Sequence, residues 1–230
     1  METARQYFLR FAGEEVLDTT KVGQVLERQE DTPARIYVRG LRVAEEENFA
    51  FSYNVTDLTA KMEKALNRER TAVGRTVYTD RVKAILLAAK SKTVARRLMN
   101  ELERLDSGEG TEEIHWLDVQ EHAVRILNAA GKSVFATSDE LRQHADLVED
   151  AEESEYEVVV VPQRLRDRLD DLRDASGNQV RTVAVYAGER APVWYAFLYP
   201  LGSAVVGFIM LRSAWRGRRL IEWRGRSYSA

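Results

Sequence analysis

Apolar and polar positions recur along this chain with periods that change several times. Arg35 to Ala44 (RIYVRGLRVA) and Phe49 to Asn54 (FAFSYN) are dense in Ile, Val, Tyr and Phe, and Glu45 to Asn48 between them is polar. That pattern predicts two strands joined by a turn. In the first strand Ile36, Val38 and Leu41 lean to one face, with Gly40 as a bulge. Thr56 or Asp57 then caps a helix presenting Leu58, Met62 and Leu66 as a stripe. From Thr79 the period is helical for about 26 residues, with Val82, Ile85, Leu86, Ala89, Val94, Leu98, Leu102 and Leu105 on one face. Lys90-Ser91-Lys92-Thr93 marks a point where this helix divides.

Asp106-Ser107-Gly108-Glu109-Gly110 reads as a helix end and loop. A helix over 118–130 follows (Val119, Val124, Ile126, Leu127), then a short strand, Ser133 to Ala136, and Thr137 with Glu140 forms a capping box. Residues 142–157 hold seven Asp or Glu against Arg142 alone, which predicts a solvated loop. Tyr156 to Val161 (YEVVVV) reads as a buried strand and Pro162 opens a helix. Ser176-Gly177-Asn178 is a turn, and Val180 to Tyr186 (VRTVAVY) alternates as another strand. The sum is an α+β fold: a strand pair, a helical middle, then alternating strand and helix, closed by a C-terminal apolar helix. No internal repeat is present.

That last helix changes the picture. Ala191 to Leu211 is 21 residues without a charge, followed at once by Arg212, Arg216, Arg218 and Arg219. Length, basic flank and the aromatic edges Trp194, Tyr195, Tyr199 and Trp215 fit a membrane span. Its nine Val, Ile, Leu and Phe residues supply only about −3 to −5 kcal/mol of insertion free energy, eroded by Pro200, Gly202, Ser203 and Gly207. The alternative is a buried strand–turn–helix broken at Tyr199-Pro200-Leu201-Gly202. A basic tail held inside implies residues 1–190 outside, although the N-terminus carries no secretory signal and reads as cytoplasmic. A re-entrant hairpin at Pro200, an inverted orientation, or descent from a chain with earlier spans would each reconcile the two.

Charge divides the same way. The whole chain carries −3, but residues 212–230 hold six Arg against one Glu, +5, leaving −8 on residues 1–211. Cysteine is absent, which excludes disulfide frameworks, thiolate metal sites and cysteine nucleophiles.

Candidate chemistry is sparse. Asp106 to Gly110 matches D-x-G-x-G, by which Bergerat-fold ATPases hold adenine, but an amphipathic helix rather than a strand precedes it. Glu113, His115, Asp118, Glu121 and His122 form a compact set of metal or acid/base types, without H-E-x-x-H spacing or a third nearby histidine. Arg68, Arg70 and Arg75 (LNRERTAVGRTVY) suit phosphate binding by planar, charge-assisted hydrogen bonds, or ordinary surface pairing with Glu63 and Glu69. No P-loop, G-x-S-x-G or dinucleotide fingerprint occurs, and no large basic face for nucleic acid is evident.

RIYVRGLRVAEEENFAFSYN followed by LNRERTAVGRTVY, at Arg35 to Arg75, resembles the region just past the nucleotide pocket of bacterial GHKL-type ATP-binding proteins, the Bergerat-fold superfamily. The resemblance extends from about Phe8 to Tyr186. It implies that Arg68 and Arg70, at the L-x-R-x-R positions, contact nucleotide phosphates from an adjoining domain. The family's Asn-bearing helix, its D-x-G-x-G strand and its Gly-rich lid have no counterpart here. ATP and magnesium are therefore expected only with an ATPase domain supplied upstream. Residues 191–230, ending IEWRGRSY with Trp223, Arg224, Gly225, Arg226 and Tyr228, are similar to the last span and cytoplasmic tail of membrane family-2 glycosyltransferases, whose acidic sugar-nucleotide motifs have no counterpart in 1–190.

These readings divide the chain into a strand-rich end of an ATPase-type domain (1–55), an α/β coupling domain (56–190), a membrane segment (191–211) and a basic tail (212–230). The expected function is a non-catalytic coupling portion of a GHKL-type protein, with an ATPase domain or another protein as partner, a cytoplasmic body and a membrane contact through 191–211. A fragment or composite of a membrane glycosyltransferase and a soluble interaction domain are the alternatives.

Overall fold

The computed structural model describes residues 7–29, 31–68, 74–105, 110–190, 206, 208–212, 221–223 and 226–228. The chain divides into two units, residues 1–186 and 187–230. The fold is α+β.

In the first unit a short helix, α1 (Leu9–Ala12), leads into five strands: β1 (Val16–Thr19), β2 (Gly23–Leu26), β3 (Ala34–Val38), β4 (Leu41–Glu46) and β5 (Ser52–Val55). They form one sheet in the order β1-β2-β5-β3-β4, antiparallel except for the central β5 and β3 pair. The single strand expected over 35–44 is a hairpin. Its chain reverses at Arg39-Gly40, where φ is 49° and 81°. A two-residue hairpin of type I′ needs both values positive; glycine adopts them freely, and arginine does so at a cost of about 1 kcal/mol. The Arg39 N–H donates to Val55 O and the Gly40 N–H to Asn54 Oδ1, each at 2.9 Å, which holds the reversal in place. Gly40 therefore turns the chain, and the bulge lies instead between Ile36 and Tyr37. The pattern also gave no sign of β1 and β2, four residues each, joined where Thr20 Oγ1 accepts the Val22 and Gly23 N–H groups at 3.1 Å.

Pairing sets Val25, Tyr53 and Ile36 side by side on one face and Gln24, Asn54 and Tyr37 on the other. The first face carries the helices α2 (Ala60–Arg68), α3 (Arg75–Ala88), α4 (Lys92–Leu105) and α5 (Leu117–Ala129), with a 3-10 turn over Glu112–His115. α2 starts later than Thr56 because Thr59 caps it, Oγ1 accepting the Met62 N–H at 3.3 Å. α3 and α4 part where the polar run predicts. At that corner Asp18 Oδ2, from β1, accepts the Lys90 and Ser91 N–H groups at 2.6 and 2.7 Å. Val82, Ile85, Leu86, Ala89, Val94, Leu98 and Leu102 are all buried, as their spacing required. Helix and sheet approach so closely at Gly23 that a Cβ there would lie 2.6 Å from Ile85 Cδ1.

The remainder of the unit is β6 (Ser133–Ala136), α6 (Ser138–Gln143), α7 (Ala145–Glu153), β7 (Glu157–Val160), α8 (Gln163–Leu169) and the first turn of α9 (Val183–Arg190), with β6 and β7 parallel. The capping box forms: Thr137 Oγ1 accepts the Glu140 N–H at 3.1 Å, and Glu140 Oε2 accepts the Thr137 N–H at 2.8 Å. Alternation along β6 and β7 sends Phe135 and Val159 into the main core, and Val134, Ala136 and Val158 into a smaller one with Ala151, Val183 and Tyr186. Two expectations fail here. The acidic stretch forms α7, because Leu147 and Ala151, one turn apart, pack into the smaller core, while Asp146, Glu149, Glu152 and Glu153 are exposed and Asp150 accepts the Tyr186 hydroxyl at 2.6 Å. Val180 to Tyr186 meets β6 only through one bridge, Phe135 to Thr182, and then turns helical, which buries Val183 and Tyr186 three residues apart. The main core is one cluster running from Val25 to Val180.

In the second unit the chain is helical at 206 and 208–212, where Val206 and Phe208 to Leu211 are exposed, and β8 (Ile221–Trp223) pairs antiparallel with β9 (Arg226–Tyr228). Among the described residues no helix is long and apolar enough to cross a membrane. Most of the 191–211 segment, Pro200 included, lies outside the described residues, as do Arg224 and Gly225 of the tail motif.

Candidate functional site

The residues singled out from sequence scatter. Arg68 is the last residue of α2, and Arg70 lies outside the described residues, as does the Asp106 to Glu109 part of the D-x-G-x-G match. Arg75 is committed to carboxylates: it pairs with Glu112, sits 3.5 Å from Glu46 and lies over the Phe49 ring. The compact set 113–122 does not converge. His115 is exposed at the end of the 3-10 turn, Asp118 pairs with Lys83 at 2.9 Å, Glu121 pairs with Arg168, and His122 Nε2 donates to Ala89 O at 2.8 Å. Among the described residues no group of three or more His, Asp or Glu side chains is placed to hold a metal ion.

Two features of the sheet carry chemistry instead. The first is its polar face. Residues 7–15 cross this face as a strap, tied to the hairpin by Leu9 N–H to Gly40 O (2.9 Å) and Arg42 N–H to Tyr7 O (2.8 Å). Further along, Gln29 Nε2 donates to Ala12 O at 2.8 Å. Beneath the strap the Glu14 side chain is 1% exposed, and its Oε1 accepts hydrogen bonds from Arg35 Nη1 and Tyr37 Oη, both at 3.2 Å. Burial pushes the Glu14 carboxyl up, and the Arg35 charge and the Tyr37 and Arg35 hydrogen bonds only partly offset that. Burial, reinforced by the Glu14 charge, pushes the Tyr37 phenol up to about 12. Beside this network Asn54 Nδ2 donates to Gln24 Oε1 at 2.7 Å.

Between strap and sheet lies an open pocket of about 790 Å³, lined by Phe8 and Arg10 of the strap and by Val16, Gln24, Arg39 and Asn54 of the sheet and its hairpin turn. Amide, guanidinium and carboxylate groups over an apolar rim can bind and orient a ligand through several hydrogen bonds.

The second feature is Glu113, fully buried in the main core. Both its oxygens accept the Ala50 N–H, at 2.9 and 3.0 Å, and Oε1 also accepts the Tyr53 hydroxyl at 2.8 Å. Desolvation pushes this carboxyl up to about 7, against the pull of the Ala50 N–H and the other donors. The chain beside it is tied the same way, with Glu112 N–H donating to Asn48 O at 2.8 Å. Glu113 thus pins the 3-10 turn and α5 to the loop before β5. Sequence reasoning singled out Glu113 for metal or acid/base work and missed Glu14 altogether. The only signal for Glu14 is an acidic pair, Glu14-Glu15, between two short apolar stretches.

The comparisons with known proteins fall on the sheet-bearing half. A family model described as the Mycoplasma pneumoniae MPN635 N-terminal domain matches residues 1–92. Two curated proteins of Mycoplasma pneumoniae (strain ATCC 29342 / M129 / Subtype 1), each described as an uncharacterized protein, are similar to this chain. One is 32% identical over 92 residues, which is 40% of this chain and 36% of the relative. The other is 26% identical over 98 residues, 41% of this chain and 28% of the relative. The chain spans about a third of the length of the curated relatives it matches. Every residue of the strap pocket, from Phe8 to Thr56, lies inside the segment that the family model matches.

Proposed function

We propose that this chain is a non-catalytic coupling module, in which residues 7–55 present a binding face and the core beneath passes its occupancy to the helical and α/β half. The observation that carries this reading is the Glu113 contact. A side chain from beyond residue 92 is buried against Ala50 and Tyr53, which ties the 3-10 turn leading into α5 to the sheet and supports a path between them. The resemblance to GHKL-type proteins supports an ATPase domain as the partner, bringing ATP and magnesium, with Arg68 and Arg70 as the phosphate contacts. The coupling is tested by hydrogen exchange. Glu14→Ala, under the strap, is expected to lower amide protection in β6 and β7 in the native background and to leave it unchanged when Glu113→Ala is also present. Protection in β6 and β7 that ignores Glu14→Ala in both backgrounds refutes the coupling. Turnover unchanged by Arg68→Ala and Arg70→Ala, in a longer relative that has an ATPase domain, removes the phosphate role.

A membrane contact through 191–211 is favoured by the exposed run Phe208, Ile209, Met210 and Leu211. Flotation of the full chain with lipid vesicles, lost when these four are changed to Ser, is the expected result; flotation that survives the change refutes it.

A further inference from the structure

A second concavity, of about 670 Å³, opens where the α3–α4 corner, α5 and the loop after α8 meet. Its lining brings together Lys90 and Lys92 from the corner, His122 and Arg125 from α5, and Arg173 from the loop, with Asp174 the sole carboxylate. Four Lys and Arg side chains thus line one hollow of a chain whose net charge is −3. No described carboxylate pairs with Lys90, Lys92, Arg125 or Arg173. The two nearby acids are already engaged. Asp18 Oδ2 is spent on the Lys90 and Ser91 N–H groups. Asp174 Oδ1 accepts the Ser176 and Asn178 N–H groups at 2.9 and 3.0 Å, and its Oδ2 accepts Asn128 Nδ2 at 2.8 Å. Burial alone would raise Asp174, but these hydrogen bonds outweigh it and hold the carboxyl below its ordinary range.

The far wall is braced before any ligand arrives. Asn128, three residues beyond Arg125 on α5, also donates to Gln179 O at 3.2 Å and accepts the Arg181 N–H at 2.9 Å, which clamps the loop to the helix. Because His122 Nε2 donates to the Ala89 carbonyl, Nδ1 is the ring atom left for other contacts. The floor between the cations is apolar: Ala89, Ile126, Ala129 and Ala175.

We propose that this hollow is a binding site for a small phosphorylated molecule, the phosphate held by Lys90, Lys92, Arg125 and Arg173 and a compact apolar body resting on the alanine floor. The chemistry points to phosphate because clustered Lys and Arg without a carboxylate partner stabilise a multiply charged anion by charge-assisted hydrogen bonds, and Arg matches its oxygens two at a time; Arg173 has one Nη1 donor on Gly177 O at 3.4 Å and others remaining. A small ligand is favoured over a nucleic acid strand because the lining is a concave hollow of ligand size, with no aromatic platform on which bases would stack. This site is separate from the strap pocket and stands without the coupling reading.

Calorimetric titration of the full chain tests it, with inorganic phosphate, pyrophosphate and phenyl phosphate as probes. One-to-one saturable binding is expected, tighter for phenyl phosphate than for inorganic phosphate and weakened by added salt. Arg125→Ala and Lys92→Ala change exposed side chains and are expected to leave the melting temperature unchanged while each weakens binding about tenfold. Ala129→Glu removes no cation but fills the floor with a like charge, and is expected to abolish binding. No saturation in the millimolar range, or equal affinity in all three variants, overturns the site. A single-stranded oligonucleotide that binds more tightly than every small probe, and loses its affinity through Arg125→Ala, overturns the small-ligand assignment.

Discussion

Glu113 makes the fold's stability a function of pH in a direction opposite to most carboxylates. Its carboxyl is raised from 4.5 to about 7 by burial, so the folded state holds a proton that the unfolded chain has released. A raised pKa means the associated stability is fully present below pH 4.5 and is lost as the pH climbs through 7. The 2.5-unit difference corresponds, at 1.36 kcal/mol per unit, to roughly 3 kcal/mol lost between those limits. Glu113→Gln removes the titration while keeping one oxygen for the Ala50 N–H and the Tyr53 hydroxyl. Its amide must face backbone donors, so its absolute stability is a poor guide and the difference from the native chain across pH is the informative quantity. The assay is urea denaturation of both proteins from pH 4.5 to 8.5. Glu14 is raised as well, and Asp174 and Glu155 are lowered, but these contributions are shared by both proteins and cancel in the difference. The native chain should lose roughly 3 kcal/mol relative to Glu113→Gln across that range. A difference that stays level within about 0.5 kcal/mol would refute the burial argument for this residue.

Two further substitutions probe the architecture. Gly23→Ala drives a Cβ against Asn54 O and the Ile85 side chain, and should cost about 1–3 kcal/mol by thermal unfolding; a neutral result means that helix and sheet are not in close contact there. Thr137→Ala dismantles the capping box of α6 and should cost about 1 kcal/mol, with protection lost first in α6; an unchanged melting temperature contradicts the cap.

Local chemistry made parts of this fold legible in the sequence. Ser133 to Ala136, the Thr137 and Glu140 box, and the break at Lys90 to Thr93 all follow from neighbours within four residues, and each stands in the structure. What failed depended on partners far along the chain. Gly40 was read as a bulge because nothing local says that Val55 O and Asn54 Oδ1 will be waiting for a reversal. The acidic count over 142–157 concealed Leu147 and Ala151, whose burial depends on β6 and α9. The sites were less visible still. Lys90 and Lys92 read only as a helix break, Arg125 and Arg173 drew no notice, and Glu14 meets Arg35 and Tyr37 across more than twenty residues of chain. Spacing rules see one helix face or one strand at a time, whereas both pockets are assembled from elements distant in sequence.

The segment matched by the family model ends at the first residue of α4, yet Val82, Ile85 and Leu86 within it share a core with Val94, Leu98, Val119, Val124 and Phe135 beyond it. The matched portion is thus half a fold, with an adhesive side left open. In this chain the cover is brought by α4, α5 and β6, so the matched segment taken alone would bare the greasy surface on which Val82, Ile85 and Leu86 sit.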